Sequence, residues 1–490
     1  MPRTPRDRAP LPLAGLLLAA AVASVPAVAG AGAGDVTDRL RNAGNKLATA
    51  GRPEGLVGSS GDPIPTGLTG RALNVWDLQA FDGKVYLGGG NTTTNPGPLN
   101  VWAYDVAGGG FGASPEAVSR NEAIENFRVL GGDLYLPYSD PDQPPGDGVY
   151  FQRRRPGEAG FTEVGDRSVR LAHVRDMVRL GDGTILAVGN SRNVTIDNQT
   201  AEAIAASTDG ASAAVSRDGG ASFTAAVDPT QINPYGNWYY SAFTYDGRAF
   251  ATGLSLQTSG NFQAFEPIVE FDPVLGRFVG SNDGPTGGAA PRPGAVRGTD
   301  FFVAPDDPAD RLQDPRTGEQ AFGVVAFVRE SVEFDGQLVY ALATHSPFTG
   351  TTRRDFYRNS LDFLVKTSVD SAPIDVVFPD AQALGEDVLL GDGGVYALAN
   401  RRDDDGTYRV YVYFSTDPAA GAWDEVLTFA SDNLARSFEV VDDTFYFGLG
   451  YDELAGDAVG DAGALLSVQV PEPAAAAVLG LAPLLLRRRR

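Results

Sequence analysis

The feature that most constrains this chain is a hairpin unit that recurs along most of its 490 residues. Each copy has a short apolar run, a tight turn built on Asp-Gly or a close equivalent, and a second run rich in Val, Tyr and Leu. The first is Trp76 to Phe81, Asp82-Gly83, then Val85-Tyr86-Leu87. The second is Phe127 to Leu130, Gly131-Gly132-Asp133, then Leu134-Tyr135-Leu136. The third joins Met177-Val178 through Asp182-Gly183 to Ile185 to Val188, and the fourth joins Phe243 through Asp246-Gly247 to Ala249-Phe250. The fifth is Val332 to Phe334, Asp335-Gly336, then Leu338 to Tyr340; the sixth is Val388 to Leu390, Asp392-Gly393, then Val395-Tyr396. The seventh is Phe438 to Val441, Asp442-Asp443, then Phe445 to Phe447. Asp-Gly between apolar runs is a tight-turn signal.

A third strand follows each hairpin after a polar loop, as in Val101 to Asp105, Val149 to Phe151, Ile268 to Asp272 and Val410 to Phe414. A fourth is visible after most of them, for example Phe161 to Val164, Phe223 to Val227 and Trp423 to Leu427. Four short antiparallel strands, recurring at a period of about 40–50 residues, predict an all-β chain folded as a β-propeller. The expectation is seven four-stranded blades over residues 71–470, with Gly280 to Gln320 as an insertion loop rich in Gly, Pro, Asp and Arg. In the seventh copy the third strand, Leu465 to Val470, leaves no room for a fourth. Closure of the ring then needs a strand from the start of the body, within a flexible segment 30–70, and Gly51 to Leu73 is the predicted donor. Such closure removes an exposed sheet edge.

The stretch Ser216-Arg217-Asp218-Gly219-Gly220-Ala221-Ser222-Phe223 resembles the Asp-box, or BNR repeat, with Ser222 and Phe223 standing where that pattern has Thr and Trp. A degenerate second copy runs from Ser415-Thr416-Asp417 through Gly421 to Trp423, with two inserted residues. The resemblance implies a turn between third and fourth strands, held by Ser216, Asp218, Gly220 and Phe223. Asp-boxes occur in sialidases and in many propellers of other kinds, so the motif speaks for fold and leaves activity open.

Both ends of the chain are organised differently from the body. Residues 1–29 have the layout of a secretion signal: Arg3, Arg6 and Arg8, an apolar run from Leu11 to Val28, and small residues at Ala27-Val28-Ala29. At the other end Pro471-Glu472-Pro473 precedes apolar Ala474 to Leu486 and then Arg487 to Arg490. Residues 471–490 resemble the PEP-CTERM sorting signal. That resemblance implies an exosortase-type processing enzyme as partner, transient contact with the inner membrane, and release to the cell surface or extracellular matrix. The apolar stretch is shorter than the roughly 20 residues of a stable span, and the terminal arginines favour the cytoplasmic side.

Composition removes several classes of function. With no cysteine and two histidines, His173 and His345, thiolate catalysis, disulfides and Cys- or His-rich metal sites are not expected, and no cofactor or metal is. The net charge is −23, and more negative once the arginine-bearing ends are set aside, which repels nucleic acid. The acidic groups Asp403-Asp404-Asp405 and Asp140, Asp142, Asp147 lack the spacing of a calcium loop and read as solvated turns. No Gly-rich loop follows a strand and opens a helix, so nucleotide use is disfavoured.

Candidate binding residues come from the blade geometry. The innermost strand of a propeller blade comes first in the chain, so its leading residues line the central channel. Counting back six or seven positions from the turns gives Trp76, Arg175 with Asp176, Tyr240, Arg329 with Glu330, and Arg436. Guanidinium groups grip carboxylates through forked donors, and aromatic rings stack on sugar faces, so the set points to an acidic sugar. The competing structural reading is that Asp176 and Glu330 neutralise these arginines as channel ion pairs. No catalytic residue is assigned. The expectation is an exported propeller that binds a polysaccharide or an envelope partner without turnover; the alternatives are a sialidase-like glycoside hydrolase and a purely structural surface component.

Overall fold

The computed structural model describes residues 47–51, 74–90, 98–139, 149–191, 213–226, 237–258, 261–262, 268–279, 325–345, 362–450 and 462–469, less a few single positions within these stretches. Among them the chain is all-β, with one 3-10 turn at Pro418–Ala420. The strands form seven antiparallel blades in a ring. The innermost strands are Asp77–Phe81, Arg128–Leu130, Leu171–Arg179, Asn237–Tyr245, Val325–Phe334, Leu384–Gly391 and Leu434–Val441, for blades one to seven. Each pairs with the next strand in sequence, and a third and fourth strand complete the blade outwards. In blade one the fourth strand is split into Gly110–Phe111 and Ala117–Ser119, both paired with Leu99–Asp105. Blades three and four are joined by the single pairing of Asn190 with Trp238.

The hairpin turns form for the reason their sequences suggest. Asp82, Asp246, Asp335 and Asp442 have φ near +50°, and Gly83, Gly247 and Gly336 follow at φ 67° to 75°. Two consecutive positive φ values match the twist of the flanking strands, and Asp and Gly tolerate them best. In blade two Gly131 and Gly132 do the same work. Six exposed turn aspartates, Asp82, Asp182, Asp246, Asp335, Asp392 and Asp442, consequently ring one face of the disc, here called the turn face. The opposite face carries the starts of the innermost strands and is called the mouth face.

Hydrophobic packing lies between blades rather than within a single central core. Phe438, Phe445 and Phe447 of blade seven pack against Tyr396, Leu398 and Phe414 of blade six. Tyr446 and Leu465 of blade seven pack with Val75, Leu78, Leu87 and Trp102 of blade one, so the ring is closed. Each of the other five blade interfaces holds its own buried apolar cluster. Burial of this kind stabilises by roughly 25 cal/mol per Å² of apolar surface, and it ties each blade to two neighbours.

Closure uses a strand from the start of the body, as expected, but not the predicted one. The fourth strand of blade seven is Leu47–Gly51, antiparallel to Leu465–Gln469 with Leu47 opposite Val468 and Gly51 opposite Leu465. It meets the predicted segment only at Gly51, and residues 52–73 lie outside the described residues. The insertion 280–320, the signal 1–29 and the tail 471–490 lie outside them as well.

Candidate functional site

The innermost strands share a local distortion that builds the channel mouth. In blades three to seven the register with the second strand shifts by one residue, leaving Arg175, Tyr240, Arg329, Glu386 and Arg436 as the extra residue of a β-bulge. In blade one Trp76 and Asp77 both face Gly88, and the Trp76 N–H donates to the Gly88 carbonyl at 2.9 Å. A bulge turns its extra side chain out of the ladder; here Arg175, Tyr240 and Arg329 are half-buried, while Glu386 and Arg436 are buried. The strand opposite is close: a Cβ at Gly189 would lie 1.8 Å from the His173 carbonyl oxygen, so only glycine fits there.

The residue after the bulge ties one blade to the next. Asp77 Oδ2 accepts the N–H of Phe127 at 2.6 Å, from blade one to blade two. Asp176 Oδ2 accepts the N–H of Ala242 at 2.9 Å, from three to four, and Asp387 Oδ2 accepts that of Phe438 at 3.0 Å, from six to seven. Blade four uses hydroxyls instead: Ser241 meets Thr252 at 2.5 Å, and Thr252 Oγ1 accepts the N–H of Val328 at 3.2 Å. The Ser437 hydroxyl donates to the Val75 carbonyl at 2.9 Å, which joins seven back to one. These buried donors and acceptors would each be costly if left unmade.

The channel itself is bridged by Arg128 of blade two. Its Nε and Nη2 donate to the two oxygens of Asp176 at 2.8 and 3.1 Å, and its Nη1 lies 3.5 Å from Glu330 of blade five. Blades two and five are not neighbours, so this contact crosses the channel. Burial works against the charge of Arg128, and the Asp176 and Glu330 carboxylates more than offset it, so its affinity for the proton rises. Arg329 also crosses, donating to the Trp76 carbonyl at 3.2 Å, with its guanidinium 5.7 Å from the Trp76 ring centre. Burial lifts the pKa of Asp77 well above the usual carboxylate range, and the Glu330 carboxylate adds to it. Asp387 is raised in the same way, by burial and then by Glu330. Glu330 is raised by burial, against the pull of Arg128 and Arg329.

The residues singled out in the sequence therefore share one level of the channel, in two settings. Arg175, Tyr240 and Arg329, from three consecutive blades, are half-buried, and the Arg175 guanidinium lies 5.6 Å from the Tyr240 ring centre. Trp76, Asp176 and Arg436 are buried. Trp76 Nε1 donates to the Gly90 carbonyl at 2.8 Å, and Arg436 lies 4.4 Å from the Trp76 ring centre while donating to Asn74 at 2.5 Å. Arg436 thus sits inside the junction of blades seven and one. Asp176 and Glu330 do bind a guanidinium, but it is that of Arg128, which the count from the turns does not reach. The same count in blade six reaches Glu386, and Asp387 follows it. Asp140, Asp142 and Asp147 lie outside the described residues.

Two further sequence features have definite local structure. Between the third and fourth strands of blade three, the Ser216 hydroxyl donates to Asp218 Oδ1 at 2.8 Å and accepts the N–H of Gly220 at 2.8 Å. Asp218 Oδ1 also accepts the Ser222 N–H at 2.9 Å, Gly219 and Gly220 have φ of 72° and 89°, and Phe223 is buried. Hydrogen bonds from Ser222 and Ser216 bring the Asp218 pKa down to about 2. In the Asp403-Asp404-Asp405 loop, Asp403 accepts from Arg401 at 2.9 Å and Asp405 accepts from the Thr407 N–H at 3.0 Å.

No protein-family model matches the chain, and neither does any curated protein. The fold is similar to the GH74 xyloglucanase from Xanthomonas campestris, at 10% identity and a TM-score of 0.42, over 83% of this chain and 52% of that one. This chain thus spans about half the length of that enzyme. It is also similar to the β-propeller domain of the Trilobed protease from Pyrococcus furiosus, at 11% identity and a TM-score of 0.34, over 71% of this chain and 83% of that one. Likenesses this distant carry no argument about activity.

Proposed function

We propose that this chain is an exported propeller whose channel mouth binds an acidic polysaccharide without turning it over. The observation that carries the reading is the placement of Arg175, Tyr240 and Arg329 on bulges of three consecutive blades, half-buried at one level of the channel. Two guanidinium groups and a phenol ring suit a uronic-acid residue: forked donors for the carboxylate and an apolar face for the ring. Trp76 and Arg436 serve this site as its buried support. Binding is favoured over hydrolysis because the channel carboxylates are already engaged in structure. Asp77, Asp176 and Asp387 accept backbone N–H groups of the next blade, and Glu330 faces Arg128. A glycosidase needs two carboxyl groups flanking a bound sugar.

Export follows from residues 1–29 and 471–490, read as secretion signal and PEP-CTERM-type tag, with an exosortase-type enzyme as the processing partner. The Ser216–Phe223 turn is read as an Asp-box, which serves the fold. The test is calorimetric titration of wild type and the Arg175→Ala, Arg329→Ala double variant with polygalacturonate and a neutral glucan. Charge-assisted hydrogen bonds are worth about 1.5–3 kcal/mol each, so the double variant should bind the acidic polymer at least roughly 10-fold more weakly while folding normally. Equal binding by both proteins, or cleavage of the polymer by wild type, would overturn the reading.

A further inference from the structure

The two ends of the described chain leave the disc at one place. In blade seven the first strand runs from the mouth face to the turn at Asp442, the second returns, and the third, Leu465–Gln469, runs down again. Gln469 pairs with Thr444, two positions after Asp442, so the chain leaves the fold at the turn face. The closing strand is antiparallel to it, and Leu47 opposite Val468 places the start of that strand on the same face. The bulges with Arg175, Tyr240 and Arg329 lie at the opposite end of the innermost strands.

We propose that the turn face is the membrane-proximal face of the propeller before processing, with the channel mouth directed away from the bilayer. The proposal rests on the reading of residues 471–490 as a membrane-retained sorting tag. Only Val470 to Pro473 separate the last paired residue from the apolar stretch that begins at Ala474. Four residues span at most about 14 Å when fully extended, well short of the roughly 26 Å that a nine-residue strand sets between the two faces. A tail held in the bilayer therefore keeps the turn face close to the headgroups and cannot let the disc turn over. The partner of this surface is a lipid bilayer.

The charge of that face explains why the contact lasts only as long as the tail. Asp82, Asp182, Asp246, Asp335, Asp392 and Asp442 are all exposed on it. Anionic headgroups repel such a ring over a Debye length of about 8 Å at physiological salt. The covalent tail holds the acidic face where its charge opposes it, and removal of the tail leaves nothing to retain the disc there.

The chain contains no cysteine, so a single introduced one reports its own position. Asp392 lies in the turn of blade six, and Asp404 lies beyond the other end of the nine-residue strand Gly394–Arg402, on the mouth face. At about 3.3 Å per residue these positions differ in height by roughly 26 Å. The experiment takes the exported chain that still carries residues 471–490 and places it on vesicles of phosphatidylethanolamine and phosphatidylglycerol. Energy transfer is measured from a dye on Asp392→Cys or Asp404→Cys to an acceptor lipid, with Glu425→Cys and Asp432→Cys as an independent turn-face and mouth-face pair. Transfer should be at least about twofold stronger from the turn-face member of each pair, and protein ending at residue 470 should not float with the vesicles. Equal transfer, or stronger transfer from Asp404 and Asp432, overturns the orientation. Failure of the tailed protein to float removes the tag reading itself, and the flotation step reports that separately.

Discussion

Asp387 Oδ2 on blade six accepts the backbone N–H of Phe438 on blade seven at 3.0 Å, while Oδ1 accepts the N–H of its own neighbour Val388 at 2.8 Å. One carboxylate thus closes a bulge and joins two blades. Its two oxygens meet two donors, which a neutral amide cannot match. Asp387→Ala leaves two N–H groups without their partner and should destabilise the fold by about 2–4 kcal/mol. Asp387→Asn should recover only part of this, because its NH₂ group faces one of the donors. Denaturant melts of the three proteins at neutral pH test this, and an alanine variant as stable as wild type would show that the staple contributes nothing.

The same carboxylates set the pH dependence of stability. Asp77, Glu330 and Asp387 are raised in the fold, chiefly by burial, so the folded chain holds protons that the unfolded chain has already released. Stability is then greatest below the ordinary carboxylate range and falls as pH rises from about 4 through the raised folded values. Glu116, Asp380 and Asp218 are lowered and work in the opposite sense, losing their contribution as pH falls below about 4. The expected profile has its highest Tm in the weakly acidic range and a decline towards pH 8. A Tm that climbs steadily from pH 5 to 8 would contradict the assignment of raised carboxylates to the channel.

Much of this architecture is legible in the sequence because it is local. Asp82-Gly83, Asp246-Gly247 and Asp335-Gly336 fix the hairpins by backbone preference alone, and a fixed count from the turn finds Trp76, Tyr240, Arg329 and Arg436 because the bulge recurs at the same distance. Arg128 escapes the count since it lies only three positions before its turn at Gly131, and its partners Asp176 and Glu330 come from other blades. Only the closed ring brings them together. Asp387 is equally hidden, because an acidic residue near a turn in an acidic chain reads as surface. The closing strand escapes for another reason. Leu47-Ala48-Thr49-Ala50-Gly51 has small residues and little alternation, and its strand character comes from the partner edge it meets.

That closing strand makes the sharpest test of the fold. Leu47–Gly51 covers the outer edge of Leu465–Gln469, with Leu47, Ala48, Thr49 and Gly51 opposite Val468, Ser467, Leu466 and Leu465. Without it the last strand of blade seven presents unpaired backbone groups to solvent, and an open edge of this kind invites pairing between chains. A few backbone hydrogen bonds at about 1 kcal/mol each give a loss of roughly 3 kcal/mol, before any apolar contact is counted. Blade seven is also the one that packs Tyr446 and Leu465 against blade one, so loosening its edge weakens the junction that closes the ring. Two truncations separate the strand from what precedes it. A chain beginning at residue 47 should melt like the untruncated body, whereas one beginning at residue 52 should melt several degrees lower and self-associate at high concentration. If the two melt alike, the ring does not depend on this strand, and closure is carried by the other contacts between blades seven and one, among them those of Val75, Tyr446, Arg436 and Ser437.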